Sequence, residues 1–168
     1  MNNFSNRLNT PPEGEDTQKD KFLTFVIGGE TYGIDILFVT EIIGMQPITF
    51  LPDLPDYMKG IINLRGKIIP VMDVRVRFKH APQEYNERTC IIIINSGAIN
   101  LGLIVDAVAE VITIPESNRV APPTTQMDCD NRYIKAVGKV EDQVKLLLDC
   151  DQLLSSEPVT AVEQVVWS

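Results

Sequence analysis

The sequence predicts a mainly β protein built as two small five-stranded barrels around a common buried seam. One reason is duplication. Tyr32-Gly33-Ile34, Val39 and Glu41-Ile42-Ile43 recur as Leu101-Gly102-Leu103, Val108 and Glu110-Val111-Ile112, with Gly33 and Gly102 an offset of 69 residues apart. The apolar runs Phe22–Phe25 and Ile91–Ile94 share that offset, and repetition of one small unit points to paired lobes. A second reason is rhythm: short apolar runs with turn signals about every 8–12 residues read as a sandwich or small barrel. Size is the third. A unit of about 70 residues stabilises only weakly alone, so the two copies are expected to share a core.

Residues 1–20 read as a disordered arm, because Pro11-Pro12 and the acids Glu13, Glu15 and Asp16 sit among polar residues. From Phe22, an apolar run, Gly28-Gly29 and Thr31–Ile34 make a hairpin. Asp35 either caps one or two helical turns through Ile36 and Leu37, or the strand simply continues. Pro47, Pro52 and Pro55 make the next stretch irregular, since proline lacks the amide proton of a ladder. Gly60–Asp73 is a second hairpin turning at Arg65-Gly66-Lys67, with Pro70 marking an edge or bulge. A polar connector over 79–88 leads to the second copy, where Cys90–Val105 repeats the first hairpin. A long loop from Pro115 to Asp130 follows, then a last hairpin over Tyr133–Leu148 that mirrors the second. Both of those hairpins end in an apolar strand followed by aspartate, Asp73 and Asp149. Leu153-Leu154 starts a short helix, and residues 156–168 form a tail or a further short helix. Strands grouped by order along the chain place the first barrel mostly at 21–86 and the second mostly at 87–150, with the N-terminal strand open to sharing.

Composition excludes some functions. A net charge of −8 argues against nucleic acid, where phosphate contacts need clustered Lys and Arg, and 7% aromatic residues give few stacking platforms. The local cluster Arg75, Arg77, Lys79 and His80 reads as a solvated strand end. The first residues lack the apolar core of a secretory signal, and Leu101–Ile114 carries Asp106 and Glu110, so no membrane insertion and a cytoplasmic location are expected. No catalytic set emerges. His80 is the single histidine, in a polar linker, and reads as a solvated surface residue. Cys90, Cys129 and Cys150 form no CxxC pair; the Asp128-Cys129-Asp130 and Asp149-Cys150-Asp151 triplets without an imidazole read as a loop and a strand end, with no metal. Gly28-Gly29 and Asn63–Gly66 match no phosphate-binding loop, so no cofactor is implied. Glu41 and Glu110, one per copy, read as doing one local structural task twice, such as pairing with a nearby amide or base.

Two features remain for binding. Arg65, at a hairpin tip between Leu64 and Gly66, either presents its fork of donors to a partner or bonds local turn carbonyls. In the Val39, Glu41, Ile42 segment some apolar side chains face the core and others line a groove; core packing is expected of Ile42 and groove lining of Val39. An oligonucleotide- or peptide-binding barrel is the competing class.

Tyr32-Gly33-Ile34-Asp35-Ile36, Leu51-Pro52, Pro55-Asp56-Tyr57, Gly60 with Asn63–Asp73, and Leu101–Asp106 together resemble the CheW family of bacterial chemotaxis coupling proteins. The match runs from about Phe22 to Leu154, with Asn63-Leu64-Arg65-Gly66 its most specific block. The resemblance implies two SH3-like five-stranded β-barrels sharing a hydrophobic interface, with short helical pieces. It also implies a non-enzymatic adaptor between the cytoplasmic tips of methyl-accepting chemoreceptors and the regulatory domain of the histidine kinase CheA. On that resemblance the receptor-binding residues are Val39, Glu41, Ile42, Asn63, Leu64, Arg65 and Gly66; kinase-facing residues are not assigned. The family pattern also occurs in larger chains, and the end near residue 168 favours a stand-alone coupler, in a flagellar or a non-flagellar pathway.

Overall fold

Residues 18–122 and 133–167 are described by a computed structural model, with side chains up to residue 162; residues 1–17 and 123–132, where most of the expected arm and part of the expected long loop fall, lie outside the described residues. The chain runs through β1 (Lys21–Ile27), β2 (Glu30–Asp35), a 3₁₀ turn (Ile36–Phe38), β3 (Val39–Gly44), β4 (Met58–Leu64) and β5 (Lys67–Asp73). A one-turn helix α1 (Val74–Arg77) ends the first copy. The second contains β6 (Cys90–Ser96), β7 (Ile99–Val105), β8 (Ala107–Thr113), β9 (Arg119–Val120), β10 (Ile134–Val140) and β11 (Gln143–Leu148). Helices α2 (Cys150–Leu154) and α3 (Glu157–Trp167) close the chain. Asp35 caps the 3₁₀ turn, its carboxylate accepting the Leu37 N–H at 3.0 Å.

Both barrels form, but neither is made from one half of the sequence. The six-stranded sheet has the order β8-β1-β2-β11-β10-β9, and the five-stranded sheet β3-β6-β7-β5-β4. Each copy therefore gives its leading hairpin to the other copy's barrel, which corrects the division at residues 86 and 87. The exchange follows from the strand ends. After β2 and β7 the chain turns sharply, at Ile36–Phe38 and at Asp106, and its next strand pairs with a hairpin from the other copy. The two-residue β9 has its counterpart in a single bridge between Thr49 and Ile61, so the barrels match strand for strand.

Three apolar clusters result. Ile62, Ile69, Val71, Ile91, Ile93 and Ile104 fill the five-stranded barrel, and Phe22, Ile114 and Leu147 fill the other. The largest cluster, including Phe25, Tyr32, Ile34, Ile92, Ile94 and Leu103, is the seam shared between the barrels. The Ile91–Ile94 run is thereby explained: alternate residues face a barrel interior and the seam, and both faces are dry. Arg77 is buried in this region, its guanidinium 4.9 Å from the Tyr57 ring and 4.3 Å from the Tyr133 ring. Those tyrosines occupy matching places, since their carbonyls accept the Asp73 and Asp149 N–H groups at 2.7 and 2.8 Å. Asp73 and Asp149, the aspartates that end the two mirrored hairpins, then cap α1 and α2, a role the sequence reading did not assign to them. Pro70 lies on β5 opposite Ile61 of β4, one residue before pairing with β7 begins at Val71.

Candidate binding site at the barrel mouth

The β4–β5 hairpin closes through Arg65 and Gly66, both left-handed, at φ +53° and +88°. Two such residues in a two-residue loop match the twist of the flanking strands. Asn63 holds the turn by accepting the Gly66 N–H on its side-chain oxygen at 2.8 Å. Leu64 packs against the barrel interior. Of the four motif residues, three thus build the turn and the fourth is carried on its tip. Arg65 has 68% of its side chain exposed, and its guanidinium donates to the carboxylate of Glu41 on β3. It does not spend itself on turn carbonyls. A shallow groove runs beneath the pair, lined by Thr40, Leu64, Lys67, Ile69, Ile93 and Asn95 among others.

Strand β3 carries the remaining predicted residues, and a bulge decides where they point. Val39 is opposite Ile94 and Glu41 opposite Ile93, which leaves Thr40 as the extra residue; its hydroxyl donates to the Ile93 carbonyl at 3.2 Å. Ile43 then faces the barrel interior, Val39 packs on the shared seam, and Ile42 is 44% exposed. The expectation for this pair is reversed: Val39 does the core packing and Ile42 faces solvent, because the inserted residue shifts the alternation. The groove unites Glu41, Leu64 and Arg65, while Val39 and Ile42 lie on the same strand outside it.

The second copy repeats these environments. Val108 packs on the seam, Ile112 on its own barrel interior, and Val111 is 50% exposed, matching Val39, Ile43 and Ile42. A bulge recurs there, with Thr24 Oγ1 donating to the Glu110 carbonyl at 2.8 Å and accepting its N–H at 3.1 Å. The counterpart of the Arg65 turn is Glu141-Asp142, with Glu141 at φ +56°. Glu110 is exposed, and no base occupies the turn beside it. Exposed Val111, and Leu37 at 62% exposure, are surface apolar groups that the sequence reading missed; the repeat offset applied to Ile42 would have found Val111 once the bulge was known.

Other expectations change. Of the cluster at 75–80 only Lys79 is exposed: Arg75 bonds Asp106 through two nitrogens at 2.7 and 3.3 Å and the Ala81 carbonyl at 2.8 Å, and Arg77 is buried. His80 is half-buried, 3.2 Å from the Tyr32 hydroxyl and 3.8 Å from Glu30, fitting where Gly28 lacks a side chain. Arg75 and His80 turn inward because Phe78 and His80, just after α1, lie against Tyr32 of β2, and Asp106 bridges Arg75 to Gly28. Burial pushes the Cys150 thiol up to about 12, and Cys129 with its aspartates lies outside the described residues. Among the described residues no helix is long and apolar enough to cross a membrane.

Two fused SH3-like barrels with exposed apolar strand edges and an arginine on a rigid turn define a scaffold of the adaptor class. The chain belongs to the CheW family: the model for the CheW-like domain matches residues 21–158. It is 36% identical over 153 residues to "Chemotaxis protein CheW" of Klebsiella aerogenes, covering 91% of this chain and 92% of that protein. It is 35% identical over 139 residues to the Bacillus subtilis protein of that name, covering 82% and 88%. The crystal structure of the scaffolding protein TtCheW from Thermoanaerobacter tengcongensis superposes with a TM-score of 0.74 at 36% identity, covering 83% of this chain and 94% of that one. The role of this protein is that of a chemotaxis adaptor.

Proposed function

We propose that this protein is a non-enzymatic coupler, working in the cytoplasm at membrane receptor arrays, that joins chemoreceptor cytoplasmic tips to the regulatory domain of the histidine kinase CheA. The observation that carries the reading is Arg65: a guanidinium held out by a preformed turn, beside a strand that leaves Ile42 exposed. A receptor tip is a helical hairpin, and an apolar helix laid in a groove with one charged anchor is a known mode of recognition. A preformed turn and groove need little ordering on binding, which favours affinity at modest contact area. Val39, Asn63, Leu64 and Gly66 support this surface by positioning; Arg65 and Ile42 are the side chains that meet the partner, and Glu41 pairs with Arg65 beside them. Two distinct faces on one body then gain strength from multivalency in an array.

Support for a non-catalytic role comes from the groups that could have done chemistry. His80 is engaged by Tyr32, and the Cys150 thiol is buried and held protonated. The test is Arg65→Glu, assayed by co-sedimentation with a soluble chemoreceptor cytoplasmic fragment and with the kinase. Receptor binding is expected to weaken roughly tenfold or more, with an unchanged circular dichroism spectrum and kinase binding largely kept. Unfolding of the variant would return Arg65 to a structural role.

A further inference from the structure

The Glu41 carboxylate occupies the guanidinium that the proposed function offers to a partner. The pair joins residues 24 positions apart, from β3 to the tip of the β4–β5 turn. It is not needed for that turn. Asn63 already holds the Gly66 N–H, and the second copy builds the matching turn with Glu141 at its tip and Glu110 in the place of Glu41, two acids with no base. The ion pair is therefore additional to the bond that closes the turn.

We propose that Glu41 is a built-in competitor: it neutralises Arg65 in the free protein and is displaced when an acidic side chain of the docking helical tip takes its place. This rests on the reading of Arg65 as the partner-facing residue. Exposure makes the exchange easy, because 68% of the Arg65 side chain and 34% of Glu41 are open to solvent, and ion pairs in such settings contribute little. An incoming carboxylate can approach the open side of the guanidinium fork before Glu41 leaves. Once Glu41 swings away, Arg65 and Lys67 form the charged lip of the groove, which suits an acidic partner. On a chain of net charge −8, such a lip also discriminates by location, since acidic partners are repelled elsewhere. Glu41 thus sets a threshold: a neutral or basic tip gains nothing by displacing it.

The experiment titrates the full-length protein with a soluble chemoreceptor cytoplasmic fragment, comparing wild type, Glu41→Gln, Arg65→Ala and the double variant. Glu41→Gln is expected to bind about two- to fivefold tighter, the range that exposed ion pairs span. In the Arg65→Ala background the same change is expected to have no effect. Unchanged or weaker binding by a folded Glu41→Gln overturns the proposal while leaving Arg65 as the contact; weaker binding identifies Glu41 as a direct partner contact instead. Loss of folding in Glu41→Gln also overturns it, because the pair would then belong to the fold. If Arg65→Ala binds as wild type, the underlying reading fails first, and this one with it.

Discussion

Asp106 holds together three parts of the chain that are distant in sequence. Its carboxylate accepts two bonds from Arg75 and the Gly28 N–H at 3.0 Å, so the turn of the β1–β2 hairpin is tied to α1 and to the β7–β8 corner. Partial burial by itself raises the Asp106 pKa, but the Arg75 and Gly28 bonds and the Arg75 charge outweigh it and hold the carboxyl below the usual carboxylate range. The sign of the linkage follows. A depressed folded pKa gives stability that is present above the unfolded value of about 3.9 and is lost as pH falls through the folded value. Wild-type protein is therefore expected to lose stability below about pH 4 in part through this group. Asp106→Asn is expected to be less stable at neutral pH and to show a shallower acid loss, read from denaturant midpoints across pH. An equally steep acid loss in the variant would assign that loss to other carboxylates. Nothing in the sequence marks Asp106 for this task, because its partners come from two elements distant in sequence; only the residue type was visible.

At the scale of elements, the repeated glycine is explained by the narrowness of the barrels. A Cβ on Gly33 would stand 2.9 Å from Leu147 Cδ2, and one on Gly102 would stand 2.9 Å from both Ile91 Cγ2 and Val71 Cγ1. These glycines sit at the parallel pairings β2–β11 and β5–β7, at Gly33↔Leu147 and Gly102↔Val71. The neighbours differ in stiffness. The end of Leu147 can rotate away, whereas Ile91 and Val71 are branched at Cβ and locked by the strand. Gly102→Ala is expected to cost about 1–3 kcal/mol, as overpacking does, and Gly33→Ala less, both measured by equilibrium unfolding. Equal costs would show that side-chain stiffness does not decide. The same elements show what a sequence can disclose. Hairpins, the capping Asp35 and the duplicated unit are local patterns and were legible, as was the Asn63–Gly66 block. The bulge at Thr40 was not, because one inserted residue leaves no trace in a short apolar run, yet it exchanges the roles of Val39 and Ile42. The Glu41–Arg65 pair was foreseeable only as a base somewhere near the glutamate.

For the whole molecule, the exchange of hairpins changes what the duplication means. Periodicity shows that two units exist; it carries no information on which strands pair across them, and long-range pairing is where local reading ends. Four strand pairings cross between the halves: β1–β8, β2–β11, β3–β6 and β5–β7. A barrel made from one half would lack its leading hairpin, and the interior isoleucines of β6 would be parted from Ile62, Ile69 and Val71. Cutting the chain in the polar connector at 79–88 therefore tests the architecture directly. Fragments ending and beginning there are expected to be unfolded alone, without a cooperative thermal transition, because each exposes both edges that the other covers. Mixed together they are expected to assemble into one species with a single transition near that of the intact chain, lowered by the entropy of joining two molecules and dependent on concentration. A cooperative transition in either fragment alone would mean that the halves are self-sufficient barrels, and the interlocked seam would then not be what fixes the groove, the turn of Arg65 and the edge of β3 relative to one another.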